Sequence, residues 1–344
     1  MILDERKAMI LKAIIDDYII TAMPVGSRTV SRKKGVGFSP ATIRNEMSDL
    51  EELGYLAQPH TSAGRVPSEK AYRLYVDSIL QSPEVNPEEK AHIEEYISRR
   101  SGQVEDVIRA AADVLADATQ YTSVIVAPRI QSLRIKRVQM VPVDEGSALM
   151  IVVTSAGIIK DALIAIPNDM TSENLFAISE MLTRELSNHT LAEVRQIFAR
   201  VFRDMSMNRR LLGGVMKAME EKLVEDAPED IVIGGTTKLL NYPEYSDIEK
   251  AKNFLTLFEN KDRLAAMLKN SGGMQISIRI GNENEMDALK DCSLVTATYR
   301  VGDYASGTLG VIGPTRMNYR RVVSMMDFMG NVISKMLSGN TNEV

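Results

Sequence analysis

The run Ser39-Pro-Ala-Thr-Ile-Arg-Asn-Glu-Met-Ser48 carries side chains suited to reading the edges of nucleic-acid bases. At 100° per residue, Ile43, Met47 and Leu50 fall in one narrow sector, and Ala41, Arg44, Asn45 and Ser48 fall opposite. Arginine pairs bidentately with guanine and asparagine with adenine, so Arg44 and Asn45 are candidate base readers. Thr42, on the flank, suits a phosphate or a thymine methyl. Ser39 is placed to cap the helix, whose N-terminus favours a phosphate. Against this, Glu46, Asp49, Glu51 and Glu52 make the later half acidic. Only the first two turns are then expected to enter a groove, with the acidic end tilted away or paired with neighbouring cations.

Several elements must hold such a helix. Ile10, Leu11, Ile14, Ile15 and Tyr18 repeat at helical spacing and predict a helix over 4–21, stopped by Pro24 and Gly26. Ser27 is expected to cap a second helix reaching Lys34. Gly35-Val36-Gly37 forms the turn, and Ser39 with Pro40 starts a third helix that ends at Leu53 before Gly54. Extended segments at Tyr55–Pro59 and Gly64–Pro67 flank the polar turn His60-Thr61-Ser62-Ala63, and Ser68 caps a helix running to Leu80. This order is that of a helix-turn-helix with a β wing. His60, Thr61, Ser62 and Arg65 would form the wing tip, with Arg65 suited to the negative potential of a minor groove. Arg28, Arg32 and Lys33 are candidate phosphate anchors. The pattern alone leaves open a winged helix that binds protein instead.

Charge distribution favours an anionic partner for this part. Tyr18 to Asn45 holds five Lys or Arg and no acid, in a chain of formal net charge −5. Length, 344 residues, predicts two or three domains. One cysteine and three dispersed histidines leave no disulfide and no zinc-ligand spacing, so neither metal nor cofactor is expected. There is no signal-peptide core and no apolar run of spanning length, which predicts a cytoplasmic protein without a membrane partner. No nucleophile–base set is readable, so an enzyme is not expected. Ser31-x-x-Lys34 matches a nucleophile pattern without its partner motifs. Gly213-Gly214, Gly234-Gly235 and Gly272-Gly273 lack phosphate-loop context and read as turns or close-packing sites. Arg195, Arg200, Arg203, Arg209 and Arg210 read as a solvated or interface face, and Cys292 as a buried inert thiol.

Beyond Pro83–Pro87, a linker candidate, helices are expected at 87–100 and 103–119, then strands at Thr122–Ala127, Leu133–Val143, Ala148–Thr154 and Ile158–Ile166. The last three form a meander. Helices at 171–187, 191–205 and 208–225 follow, then a strand at Ile231–Gly234, helical segments over 247–269, strands at Gln275–Ile280, Leu294–Val301 and Thr308–Ile312, and a helix at 317–337. The fold class is α+β. Layout suggests one antiparallel sheet with helices, interrupted by the meander and its helices.

The runs Phe38 to Gly54 and Pro59-His-Thr-Ser-Ala-Gly-Arg-Val-Pro67, continued by Tyr72-Arg-Leu-Tyr-Val-Asp77, closely resemble the heat-inducible transcription repressor HrcA family of bacteria. Pro40 stands where many relatives carry Ser, and proline suits a first helical position. The resemblance implies a winged helix-turn-helix over 1–82, a GAF-like domain over 83–128 and 226–344, and a dimerising domain inserted at 129–225. It also implies repression of class I heat-shock operons that encode chaperones. A homodimer would bind an inverted-repeat operator on double-stranded DNA, and a chaperonin of the GroEL type would maintain activity. Ligand sensing through the GAF-like domain is the alternative.

Overall fold

The computed structural model describes residues 3–60, 63–78, 85–100, 104–128, 134–155, 159–190, 193–194, 196–197, 213–215, 217–218, 231–269, 276–301 and 305–338. The first helix, α1 (Glu5–Thr21), begins where the Asp4 carboxylate accepts from Lys7 N at 2.7 Å, and it ends at Ala22 in a left-handed conformation. In α3 (Pro40–Glu52), Ser39 accepts from Thr42 N, Pro40 opens the first turn, and Gly54 has φ +76°. Between them, α2 (Ser27–Ser31) is shorter than its sequence suggests. Gly26 precedes it, so Ser27 is its first helical residue and supplies no cap.

The hairpin is also shorter than expected. β1 (Leu56–Ala57) pairs antiparallel with β2 (Val66–Pro67), with Leu56 opposite Pro67. Arg65 extends the ladder by exchanging two 2.9 Å backbone hydrogen bonds with Val25. Close approach at this bridge requires a glycine: a Cβ on Gly64 would lie 2.5 Å from the Val25 carbonyl. Ser68 then caps α4 (Glu69–Ser78), its hydroxyl also donating to Gly54 O at 2.7 Å.

Asn86 caps α5 (Pro87–Ser98), whose start at Pro87 is where the sequence places it. α6 (Val104–Thr119) leads into a five-stranded antiparallel sheet. Its order is β7 (Ile231–Gly234), β3 (Thr122–Val126), β10 (Ala305–Pro314), β9 (Cys292–Val301), β8 (Ser277–Ile280). Alternation along β3 sends Ile125 to one face with α6 and the terminal helix α10 (Tyr319–Leu337). It sends Val124 and Val126 to the other, with α8 (Ile248–Glu259) and α9 (Lys261–Lys269). Both faces are covered, which is why β9 is buried along nearly its whole length, Ser293 and Thr296 included.

The meander is a separate three-stranded sheet: β4 (Ile135–Asp144), β5 (Ser147–Thr154) and β6 (Ile159–Ala165). α7 (Ser172–Leu186) covers one face, packing Leu175, Leu182 and Leu186 on Met140, Met150 and Val152. The opposite face has no helix among the described residues. Val141, Leu149 and Leu163 lie in register across it, and Leu163 is 67% exposed. The helices expected at 191–205 and 208–225 lie largely outside the described residues.

Gly64→Ala is expected to push the hairpin off Val25 and to destabilise the chain by about 1–3 kcal/mol. Thermal unfolding of the variant beside the native chain checks this.

Candidate nucleic-acid interface

Side chains on α3 divide as their spacing requires. Ile43, Met47 and Leu50 are buried, while Ala41, Arg44, Asn45 and Ser48 are exposed. Ser39 and Thr42 hydroxyls lie 2.9 Å apart, so the half-buried Thr42 is tied to the cap at the end of the reading face. Arg28, Arg32 and Lys34 are exposed on and just after α2, and none of them, nor Arg44, has an acidic partner among the described residues. His60 is exposed at the hairpin. Thr61 and Ser62 lie outside the described residues.

One expected anchor and one expected wing residue are engaged elsewhere. The Lys33 ammonium donates to Ala13 O at 2.9 Å and sits 2.8 Å from Asp17, which ties it to α1. Arg65 sits 2.8 Å from Glu51 of α3, with its side chain only 20% exposed. Both cations brace the module internally. Neither is presented for a phosphate in this conformation, which corrects the reading of Lys33 as an anchor and Arg65 as an exposed wing tip.

Three of the four acids in the later half of α3 are paired in the same way, and Glu52 is exposed with no cationic partner among the described residues. Lys7 lies 2.8 Å from Glu46 and 3.1 Å from Asp49, and Arg6 lies 3.3 Å from Glu46. Hydrogen bonding to Glu46 first, and then to Asp49, raises the Lys7 ammonium above the usual lysine range and keeps it charged. Arg6 also stacks over Phe38, 5.1 Å from the ring centre. Spacing along α3 alone does not reveal Arg6 and Lys7. The signal is an Arg-Lys pair at the start of a helix whose partner carries unmatched acids.

The HrcA protein C-terminal domain family matches residues 105–323. A heat-inducible transcription repressor HrcA from Ruminiclostridium cellulolyticum is 44% identical over 339 residues, covering 97% of each chain. The chain belongs to the HrcA family. A second HrcA repressor, from Acetivibrio thermocellus, is 41% identical over 332 residues, covering 96% of this chain and 95% of its own. A solved structure described as a hypothetical protein at 2.2 Å resolution has a TM-score of 0.69 and 25% identity. That match covers 99% of this chain and all of the other.

The remaining sequence features have structural roles or lie outside view. Ser31 Oγ donates to Arg28 O at 2.9 Å, a bond within its own helix. Gly234 packs its backbone on α6, where a Cβ would lie 2.7 Å from Ala112 O. Gly272-Gly273 and Arg195, Arg200, Arg203, Arg209 and Arg210 lie outside the described residues. No helix among the described residues is long and apolar enough to cross a membrane. Cys292 opens β9, buried, with its sulfur 3.0 Å from the Tyr245 hydroxyl. Burial pushes its thiol up to about 11.

Two outcomes follow from these environments. Lys7→Met, by uncovering two carboxylates beside the reading face, should weaken binding to duplex DNA about threefold to tenfold at low salt, with the difference vanishing near 0.5 M salt. Adding Glu46→Gln should restore most of the loss in a fluorescence-anisotropy titration. The Cys292 thiol should resist alkylation by iodoacetamide at pH 8 in the native chain and react fully after denaturation, as read by mass spectrometry.

Proposed function

We propose that the chain is a sequence-specific DNA-binding repressor of heat-shock genes, acting on class I chaperone operons. One observation carries the reading. The first two turns of α3 present Arg44 and Asn45 to solvent, while the carboxylates of Glu46, Asp49 and Glu51 are paired within the fold. An otherwise acidic protein thereby offers DNA a polar and cationic surface with most of the neighbouring carboxylates already matched. Residues 1–82 serve as a winged helix with α3 in the major groove, and Arg28 and Arg32 contact phosphates beside it.

The body is read as a GAF-like domain over 83–128 and 226–344, with a dimerising insertion at 129–225. One reader helix spans too few base pairs for operator specificity, so two copies on an inverted repeat are required. The outer face of the meander, which no helix covers among the described residues and which carries Val141, Leu149, Ile159 and Leu163, supports association of two copies through the insertion. Dependence on a GroEL-type chaperonin is supported by topology. β3 pairs with β7 and β10, so the central sheet closes only after both sequence-distant strands are available. Names of the relatives, heat-inducible transcription repressors, support the same reading.

Selection of bound duplexes from a random pool tests it. A palindromic consensus is expected. Arg44→Ala and Asn45→Ala should each then lose about 1–3 kcal/mol on the consensus and relax preference at one position per half-site. No enrichment by the native chain would overturn the reading.

A further inference from the structure

The DNA-reading module is joined to the body by more than its linking chain. Tyr72 and Tyr75 of α4 belong to the same continuous apolar core as Val322 and Met326 of α10, and the Tyr72 and Tyr319 rings lie 6.1 Å apart. Apolar contact is non-directional: it holds two bodies together without setting the angle between them. Directional bonds flank this core at two places.

The first is Arg316, just after β10. It is only 6% exposed. Its Nη1 donates to Ile19 O of α1 at 2.9 Å, and Nε and Nη2 make a fork with the Glu244 carboxylate. The Tyr242 ring lies 5.4 Å from its guanidinium. One side chain of the body thus grips the last turn of the helix that supports α3. The second is the start of α4. Glu69 accepts from Asn282 N and from its side-chain amide at 3.1–3.2 Å, closing over Gly281, which leaves no space there for a Cβ. Arg73 donates to Ile278 O of β8 at 2.9 Å and to Glu283 at 3.2 Å.

We propose that these two clasps, Arg316 on α1 and Glu69 with Arg73 on the β8 end, fix the angle of the reader on the body and thereby determine which half-site spacing the dimer accepts. The inference rests on the dimeric operator reading above. Each added base pair shifts one half-site by about 3.4 Å and turns it by roughly 35°. A reader held at a fixed angle cannot follow that displacement, whereas a reader rocking on its apolar core can. Arg316 and Asn282 are then specificity-determining without touching DNA: they act through the orientation of α3.

The test uses the full-length chain and the duplex enriched from a random pool, rebuilt with its half-sites 1, 2 and 5 base pairs closer or further apart. Binding by the native chain should fall at least about tenfold at a 2-base-pair change. Arg316→Met, and separately Arg73→Met with Asn282→Ala, should bind the original spacing within about threefold of the native chain. Both should flatten the profile, so that the 1- and 2-base-pair variants bind within about threefold of the original. A single half-site duplex should be bound equally by all three proteins. A spacing profile identical to native in folded variants would overturn the proposal. So would failure of both variants to fold by circular dichroism, since the contacts would then hold the fold itself. Absence of any enriched duplex with the native chain would instead defeat the DNA reading on which the inference rests.

Discussion

The ammonium of Lys7, lying between Glu46 and Asp49, is the contact on which the surface of this molecule depends. DNA is a dense line of negative charge, and an acidic protein can approach it only where its own carboxylates are already matched. Here the matching is local. Lys7, Arg6 and Arg65 pair with Glu46, Asp49 and Glu51 of α3 from one side, which leaves Arg44, Asn45 and Ser48 facing solvent on the other. The same ion pairs lock α3 against α1 and the hairpin. Electrostatic masking and positioning of the reading helix are thus one structural arrangement. Lys33, bound to Ala13 and Asp17, extends it to the base of α2.

A second constraint is closure of the five-stranded sheet. β3 sits between β7 and β10, and both faces are covered by helices, so no strand of its centre can be added late without opening a buried core. The meander lies between β3 and β7 in sequence but builds its own sheet and its own core with α7. An independent core lets a long insertion interrupt the parent sheet without disturbing its pairing. Among the described residues the outer face of the meander is apolar and exposed at Val141, Ile159 and Leu163. The proposed dependence on a chaperone rests on the same physics, because a sheet closed by distant segments exposes apolar surface until its last strands arrive.

Much of this is legible in the amino-acid sequence. The cap at Ser39, the proline after it and the left-handed Gly54 define α3 from both ends, and its 3.6-residue period sorts buried from exposed positions. The strands of the body follow from alternating or continuous apolar runs. Less legible were α2, where Ser27 enters the helix instead of capping it, and the hairpin, whose ladder gains Val25 from an unrelated loop. In the hairpin a partner distant in sequence replaces the local signal, and in α2 the adjacent Gly26 takes the cap position without a side-chain bond.

Sequence by itself determined which residues of α3 are buried and which face solvent, and where α1 and α3 begin and end, because capping, periodicity and turn chemistry act over a few neighbouring residues. Tertiary structure alone decided which cations remain available. Lys33 and Arg65 turn inward, Lys7 meets Glu46, and Arg316 reaches Ile19 across 297 positions. Those choices depend on how helices pack against one another, since a charge pairs with whatever carboxylate or carbonyl the packing brings within about 3 Å, and no local pattern encodes that distance.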